Sequence, residues 1–391
     1  MIMDVNLNSD LNISENYAVA CVFDNSFFKK KQKGTVVMQD FGVVKSVNER
    51  AYLITLDGKN GMSVDLSTLG ATIVAIRVPD KNGKLIDVVQ GYDSVEKYTD
   101  YKVGHAGGTM GPCANRIDNG LFELNGKKYE LEKNGNGGKT HCHGASAGLD
   151  IKNWKYELIK NGVKFTYFKK DGEGGYPANV TINVSYILTD NNELITKYEA
   201  ATDADTILNL TNHSYFNLDG EENTEEGAAL NHWVQFPKSD KFTVTNENGI
   251  PTGELRSVEN TPYDFRKGAI VQERINSDYQ PLVMTNGFDQ NYCIEDYDGK
   301  KLIDIANVKS EKSGIKMTVA TNLPGFQFYT ANSLKPQPEG KSGKQYKRRS
   351  SLCIEPQFYP NAVNTADFEK PILKKGEKFN REIVYKFDTE K

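Results

Sequence analysis

Short segments of alternating or β-branched residues recur along this 391-residue chain, and they restrict its fold more than any other feature. Successive side chains of a β-strand point to opposite faces, so a half-buried strand reads as alternating apolar and polar residues. The clearest segments of this kind are 163–168, 180–187, 193–200 and 383–387. Turn-forming dipeptides separate such segments at Asp57-Gly58, Asn82-Gly83, Asn125-Gly126 and Asn161-Gly162. The pattern predicts antiparallel β-sheets.

Helical patterns are scarce by comparison, and only residues 94–99 suggest a short helical turn. The sequence therefore predicts an all-β fold, a large antiparallel β-sandwich whose sheets pack face to face. No stretch rich in proline, glycine and serine interrupts the middle of the chain. We therefore expect residues 41–391 to form a single domain, preceded by an extension of unknown role at residues 1–40.

One segment near the C-terminus has the composition of a loop. Residues 335–347 contain two prolines, two glycines and several lysines. This composition predicts a surface loop between two strands. A lid that covers a ligand is the alternative interpretation of the same segment.

Charge and cysteine content restrict the partners of the chain. The net charge of -4 and the pI near 5.9 argue against a nucleic-acid partner, which requires a basic face. No apolar run approaches the roughly 18 residues that a membrane span needs. Five cysteines without paired spacing indicate reduced thiols, and hence a cytoplasmic protein. Residues 18–21 faintly resemble a lipoprotein cleavage site, but neither a basic start nor an apolar core precedes them.

Two ionisable residues stand in apolar and aromatic surroundings. His213 lies in Asn212-His213-Ser214-Tyr215-Phe216, and Glu355 lies in Cys353-Ile354-Glu355-Pro356. Apolar surroundings shift the pKa of an acid or a base toward neutral pH, as proton transfer requires. A single histidine in a strand is more often structural, so this pair alone predicts little.

Further polar residues interrupt other apolar runs. They include Asn115 and Arg116, His143, and Asp289. Amides, a guanidinium, an imidazole and a carboxylate near aromatic rings suit a ligand with many hydroxyl groups, such as a sugar. The sequence therefore predicts a site for a small polyhydroxylated molecule.

Two other kinds of site deserve comparison. The segment 144–148 fits the Gly-x-Ser-x-Gly pattern of serine hydrolases, but its flanks lack the strand and helix that this motif requires. His141 and His143 could point the same way on a strand and bind zinc, with His105 as a third ligand. No acidic motif at ligand spacing accompanies them, so we predict no metal.

Seven segments, in order along the chain, resemble the aldose 1-epimerase, or galactose mutarotase, family. The most specific of them surround His213 and Glu355, and together they extend from about residue 41 nearly to the C-terminus. The matching segments are 69–79, 115–117, 143–144, 212–218, 287–289, 324–332 and 354–364. The resemblance implies the large sandwich of that family, sometimes called a supersandwich. Cys113 and Ala145 depart from the family pattern and leave the preferred sugar open.

The resemblance also implies an activity, the interconversion of the α and β anomers of hexoses such as galactose and glucose. It implies that Glu355 is the general base and His213 the general acid. It further implies that the sugar hydroxyls bind to Asn115, Arg116, His143, Asp289 and Gln327. No cofactor is implied, and the chain is expected to be a monomer or a homodimer whose partner is a small aldose.

The implied mechanism predicts that Glu355 and His213 face one another across an open cleft at roughly 4 to 7 Å, because both must reach oxygens bonded to the same carbon. Two alternatives remain on the same fold. A non-catalytic sugar-binding protein would not need both the acid and the base. A hexose-phosphate epimerase would need additional cations for the phosphate.

Overall fold

The computed structural model describes residues 19–21, 36–99, 105–334 and 337–390, without the side chains of residues 19–21. Within these residues the chain forms thirty strands and two short α-helices. The first twelve strands are β1 (Val19–Cys21), β2 (Val36–Val44), β3 (Glu49–Asp57), β4 (Ser63–Ser67), β5 (Thr72–Pro79), β6 (Leu85–Asp87), β7 (Val89–Gln90), β8 (Thr109–Met110), β9 (Arg116–Asp118), β10 (Leu121–Leu124), β11 (Lys127–Glu130) and β12 (Thr140–Cys142).

The remaining strands follow from residue 155 onward. They are β13 (Lys155–Ile159), β14 (Gly162–Lys169), β15 (Val180–Leu188), β16 (Glu193–Thr202), β17 (Thr206–Ile207), β18 (Thr211–Asn212), β19 (Tyr215–Phe216), β20 (Trp233–Gln235), β21 (Lys241–Thr245), β22 (Pro251–Ser257), β23 (Ala269–Ile270), β24 (Asp289–Cys293), β25 (Ile303–Lys309), β26 (Ile315–Thr321), β27 (Gly325–Tyr329), β28 (Cys353–Gln357), β29 (Ile372–Leu373) and β30 (Phe379–Thr389). The helices are α1 (Val95–Thr99) and α2 (Gln280–Met284).

Three sheets carry most of the architecture. The largest has nine strands in the order β13-β14-β15-β16-β30-β26-β25-β20-β23. A six-stranded sheet runs from β1 to β6 in chain order, and a five-stranded sheet has the order β22-β21-β24-β27-β28. Neighbouring strands in these sheets are antiparallel, except that β1 is parallel to β2. The C-terminal strand β30 lies inside the large sheet, between β16 and β26.

The core lies between these sheets. One cluster of buried apolar side chains joins Ile54 of the six-stranded sheet, Val184 of the nine-stranded sheet and Phe328 of the five-stranded sheet. In β16 the side chains alternate between buried and less buried positions along the strand, as expected when one face packs on the core. The burial of apolar side chains from three sheets in one cluster is the main stabilising contribution to such a fold.

The sequence-predicted strands and turns agree with this architecture. The four segments with the clearest alternation lie in β14, β15, β16 and β30. Asn125 and Gly126 join β10 to β11 with φ angles of 52° and 76°. Both angles are positive, as a two-residue hairpin turn requires. The predicted all-β antiparallel fold is confirmed, and the predicted helical turn at 94–99 is α1.

The described part of the predicted loop 335–347, from residue 337 onward, is a loop attached to the body of the protein. The Lys341 ammonium donates hydrogen bonds to Asp87 at 2.9 Å and to the carbonyl of Val89 at 2.9 Å. The Tyr346 hydroxyl contacts Glu221 at 2.7 Å and the Gly91 carbonyl at 2.7 Å. These buried contacts anchor the loop in the position observed.

Most of the predicted N-terminal extension, 1–40, lies outside the described residues. Its described part includes the start of β2, which pairs with β3 from Val36 onward, so the six-stranded sheet begins before residue 41. Among the described residues no helix has the length and apolar character to span a membrane.

Candidate active site

The five-stranded sheet brings three predicted site residues onto one face. In the register of β27 and β28, Gln327 is paired with Glu355. In the register of β24 and β27, Asn291 is paired with Gln327, so Asp289, two residues earlier, points to the same face. The Gln327 amide donates a hydrogen bond to Asp289 at 2.6 Å. Strand pairing therefore aligns two carboxylates and an amide.

His213 approaches this face from a separate segment. It directly follows β18, which pairs with β8, and its backbone is fixed on both sides. Its N–H donates to the Gly108 carbonyl at 3.0 Å, and its carbonyl accepts from the Gly107 N–H at 2.9 Å. The ring of Tyr215 stacks on the imidazole with 4.9 Å between centroids. These contacts hold the imidazole over the sheet face.

His213 and Glu355 face each other directly. The distance between His213 Nε2 and Glu355 Oε2 is 3.7 Å, and the two side chains are 7% and 3% exposed. Among the described residues, Glu355 Oε2 and His213 Nδ1 have no hydrogen-bond partner. Buried polar atoms without partners are uncommon, and a ligand hydroxyl could satisfy Glu355 Oε2, the atom that faces His213 Nε2. The site is therefore arranged for an oxygen between acid and base.

Two loop residues with left-handed backbones form a second side of the site, apart from the face of the five-stranded sheet. Asn115 and His143 have φ angles of 61° and 50°, uncommon values for residues other than glycine. They hold each other, because the His143 N–H donates to the Asn115 carbonyl at 3.0 Å and the Asn115 N–H donates to His143 Nδ1 at 3.2 Å. Since Nδ1 accepts a hydrogen bond, the proton of the neutral ring lies on Nε2. His143 is thus a hydrogen-bond donor toward the site, where its ring lies 5.4 Å from that of His213.

Arg116 contacts residues on both sides of the site, Asp289 on the sheet and Asn115 in the loop. Its Nη2 lies 3.4 Å from Asp289 Oδ2, and its Nη1 lies 3.4 Å from Asn115 Oδ1. Arg116 and Asp289 are 23% and 20% exposed, so they lie nearer the surface than His213 and Glu355. All seven residues predicted from the sequence therefore lie in one connected site, with the acid–base pair at its deepest point.

Burial changes the protonation of the pair. Burial raises the pKa of Glu355 well above its usual value, and Asp289 adds to this, while Arg116 partly opposes it. Burial also lowers the pKa of His213 to about 3, and the charge on His105 contributes in the same direction. Both shifts favour the uncharged forms, a neutral imidazole and a carboxylic acid. The pair therefore holds one proton, and burial favours its location on Glu355.

The structure corrects the expectations for this pair. The distance of 3.7 Å is slightly shorter than the predicted range, and the pair is buried rather than set in an open cleft. The resemblance implies a general acid at His213, whereas burial favours the neutral ring in the absence of a sugar.

A third histidine lies in the site, and sequence reasoning considered it only as a metal ligand. His105 Nδ1 contacts Asp150 Oδ2 at 2.7 Å. The ring centroid of His105 is 5.0 Å from that of His143 and 6.0 Å from that of His213. Burial opposes the charge on His105, but Asp150 outweighs it and raises its pKa. Tyr215 and Tyr329, which flank His213, were also missed as site residues.

The predicted common face of His141 and His143 is wrong. Strand β12 ends at Cys142, and the left-handed backbone of His143 turns that residue away from the strand. His141 is buried elsewhere, with Nδ1 at 2.6 Å from the Glu132 carbonyl and Nε2 at 2.6 Å from the Tyr176 hydroxyl. His141 is therefore a structural residue.

The Gly-x-Ser-x-Gly segment also lacks the geometry of a hydrolase. Ala145–Ala147 form a 3-10 turn between Gly144 and Gly148, and Ser146 is exposed. A nucleophilic serine in that motif lies on a sharp turn between a strand and a helix. Here the motif residues form only a short turn.

His143, His213 and Glu355 form a group whose ligand atoms lie within 4.8 Å of one another. Two histidines and a carboxylate can bind a transition metal. However, His143 Nδ1 accepts the Asn115 N–H, so its Nε2 carries the proton and has no free lone pair for a metal. Binding through Nδ1 would break that hydrogen bond. The donor set therefore does not fit a resident metal ion.

Comparison with known proteins agrees with this site and fold. The family model of aldose 1-epimerase matches residues 52–386. The galactose mutarotase of Bos taurus is 38% identical over 84% of this chain and 92% of its own length. The aldose 1-epimerase of Escherichia coli K12 is 32% identical over 86% of this chain and 95% of its own length.

Solved structures give the same result. A crystal structure of an aldose epimerase homologue from C. elegans is 31% identical, with a TM-score of 0.78 over 87% of this chain and all of that one. The galactose 1-epimerase of Lactobacillus acidophilus is 25% identical, with a TM-score of 0.76 over 91% of this chain and 99% of that one. The resemblance inferred from the sequence motifs is confirmed, and the chain belongs to the aldose 1-epimerase family.

Proposed function

We propose that this isomerase interconverts the α and β anomers of hexoses, with Glu355 as general base and His213 as general acid. The observation that carries the proposal is the buried pair 3.7 Å apart, in which Glu355 Oε2 has no hydrogen-bond partner among the described residues. The reaction must remove a proton from the C1 hydroxyl and protonate the ring oxygen. The hydroxyl oxygen and the ring oxygen are both bonded to C1. With C1 beside the pair, Glu355 can therefore reach one oxygen while His213 reaches the other.

The proton movements follow from this arrangement. The Glu355 carboxylate takes the proton of the C1 hydroxyl while the His213 imidazolium protonates the ring oxygen. The bond between C1 and the ring oxygen breaks, and the electron pair from the C1 O–H bond forms the aldehyde. Rotation about the bond between C1 and C2 then exposes the other face. Reclosure reverses both proton transfers and yields the other anomer.

The burial of the pair has a consequence for this cycle. While the open-chain aldehyde is bound, Glu355 is protonated and His213 is neutral. These are the protonation states that burial favours. The closed sugar, in contrast, requires the charged pair. The environment thus favours the protonation states that accompany the open-chain intermediate, and a proton must move from Glu355 to His213 when a closed sugar binds.

The other site residues are proposed to orient the sugar. Asp289 can accept hydrogen bonds, while Arg116 and the Nε2–H of His143 can donate them. Gln327 and Asn115 offer amide groups, and the Gln327 carbonyl oxygen has no hydrogen-bond partner among the described residues. A sugar hydroxyl both donates and accepts, so a mixed set of this kind matches neighbouring hydroxyls. Orientation matters because C1 must remain between the acid and the base throughout the reaction.

The alternatives receive less support. A hexose phosphate requires cations that are free to meet it, whereas the two site cations are already paired, Arg116 with Asp289 and His105 with Asp150. A binding protein has no need for an acid and a base at bridging distance.

We retain a cytoplasmic location, a single domain over 41–391 and a monomer or homodimer as proposals from the sequence.

Polarimetry on freshly dissolved α-glucose and α-galactose tests the activity. The protein should accelerate the decay of optical rotation toward equilibrium with at least one of the two sugars. Bovine serum albumin at equal concentration controls for non-specific catalysis by protein side chains. A decay no faster than that of the control with both sugars would favour the sugar-binding alternative.

A further inference from the structure

His105 and Asp150 form an ion pair beside the acid–base pair, and the mechanism above does not use it. Asp150 Oδ2 lies 2.7 Å from His105 Nδ1. The His105 side chain is 36% exposed and the Asp150 side chain is 10% exposed. The backbone of His105 has a φ angle of 67°, an uncommon value that places the ring beside the site. With Nδ1 held by Asp150, Nε2 is the nitrogen that remains for other contacts.

The position of His105 relative to His213 is fixed by the backbone. Gly107 and Gly108, which follow His105 closely, exchange hydrogen bonds with the backbone of His213 at 2.9 and 3.0 Å. The centroids of the two rings are 6.0 Å apart. Two positive charges at this distance repel each other, and water at the partly exposed His105 screens part of that repulsion. A charge on His105 must therefore influence the protonation of His213.

We propose that the His105–Asp150 pair is a positioning element that places a positive charge beside the His213 imidazole and opposes its protonation at acidic pH. The proposal rests on the proposed function, in which His213 is the general acid. Burial already favours the neutral imidazole near pH 7, so the charge on His105 determines how far toward acidic pH the neutral form persists.

The groups that face His213 support this assignment. Glu355 has the opposite effect, because a carboxylate favours the charged imidazole. His143 is uncharged, since burial and neighbouring charges lower its pKa well below its usual value. Burial raises the pKa values of Tyr215 and Tyr329, so both remain neutral. Arg116 lies against Asp289. Among the described residues that contact the His213 ring, His105 is therefore the one that supplies positive charge.

The charge on His105 opposes the protonation of His213. Asp150 raises the pKa of His105 above its usual value of 6.5, so His105 is charged at the acidic pH where His213 takes up a proton. The positive charge lowers the pKa of His213. Removing it should raise the pKa of His213 by roughly one to two pH units. Replacing Asp150 by Asn should also raise the pKa of His213. Without the Asp150 carboxylate the pKa of His105 falls, so His105 is less often charged and repels a proton on His213 less.

Histidine NMR provides the test. The chain has five histidines, and the spectrum of His213→Gln identifies the His213 signal. We expect both His105→Gln and Asp150→Asn to raise the pKa of His213 by roughly one to two pH units. Asp190→Asn, which removes an exposed carboxylate paired with Lys59, is the matched control and should leave the pKa unchanged. Because Asp150→Asn preserves the shape of the side chain, it covers the case in which His105→Gln does not fold.

The pH profile of anomer interconversion gives a second measure. The acidic limb of kcat/KM should move to higher pH in His105→Gln and Asp150→Asn, and it should stay in place in Asp190→Asn. An unchanged or lower pKa of His213 in a folded Asp150→Asn variant would overturn the proposal. The NMR titration requires no turnover, so it gives a result even if the wild-type protein does not interconvert anomers.

Discussion

The Nε2 atom of His213 lies 3.7 Å from Oε2 of Glu355, too far for a direct hydrogen bond and close enough for one oxygen to contact both. Strand β28 supplies the carboxylate, and the segment after β18 supplies the imidazole. Both groups are buried, and both have polar atoms without partners in the described part of the chain. The pair is therefore poised for a ligand oxygen.

Replacing Asp289 by Asn should weaken sugar binding. The substitution removes the charge that faces Arg116 at 3.4 Å and alters the acceptor of the Gln327 hydrogen bond. If Asp289 orients the sugar, KM should rise at least as clearly as kcat falls, which polarimetry over a range of sugar concentrations would measure. A fall in kcat of on the order of 10²-fold at constant KM would indicate instead that Asp289 takes part in proton transfer.

Activity should not depend on a metal ion. His143 Nδ1 accepts the Asn115 N–H, which leaves a proton on the Nε2 atom that faces the site. We expect turnover to survive treatment with EDTA and elemental analysis to find no stoichiometric zinc. Loss of activity on chelation, followed by recovery with zinc alone, would show that the tautomer assigned to His143 is wrong.

Stability should decrease as the pH falls from 7.5 to 5.5. Burial lowers the pKa values of His141, His143, His213 and His232, so the unfolded chain binds more protons than the folded one below the usual value of 6.5. His105 and Glu355, whose pKa values are raised, oppose this trend without reversing it. The free energy of unfolding should fall by on the order of 1 to 3 kcal/mol per pH unit.

Urea denaturation at several pH values would measure this dependence. His232 accepts the Leu218 N–H inside the protein and plays no part in the site, so His232→Gln should reduce the slope without changing the anomer rate. A free energy of unfolding that rises between pH 7.5 and 5.5 would contradict the account of the buried histidines.

Much of the fold was predictable because strands and tight turns are determined largely by residues that are close together in the sequence. Alternation in 180–187 and 193–200 indicated two strands, and Asn125-Gly126 indicated a hairpin turn, since few residues tolerate the positive φ angles that it requires. The site was predictable through motifs, because strand register places residues on β24, β27 and β28 side by side once the pairing is known.

The features of the site that the sequence did not predict depend on the conformation of loops. His141 and His143 were expected on one face, but the strand ends at Cys142 and the backbone of His143 is left-handed. No local pattern signals such a change. The contact of His105 with Asp150 joins residues 45 positions apart, and each residue lies outside the regular strands. The paired function of such residues becomes visible only in the folded chain.

The central claim is that Glu355 is the base that removes the proton from the C1 hydroxyl. Glu355→Gln preserves the shape of the side chain and part of its hydrogen bonding but cannot accept that proton. The claim therefore predicts that kcat falls by on the order of 10²-fold or more while sugar affinity changes little. Glu123→Gln, at an exposed position of β10, is the matched control and should retain full activity.

The most direct measurement is two-dimensional exchange NMR of a hexose at equilibrium, which reports the rate of interconversion between the α and β signals. With wild-type protein the exchange signals should grow in proportion to enzyme concentration. With Glu355→Gln they should fall nearly to the uncatalysed level, while titration calorimetry still detects sugar binding. Exchange at near wild-type rate with Glu355→Gln would contradict the account and transfer the role of base to another carboxylate, Asp289 first.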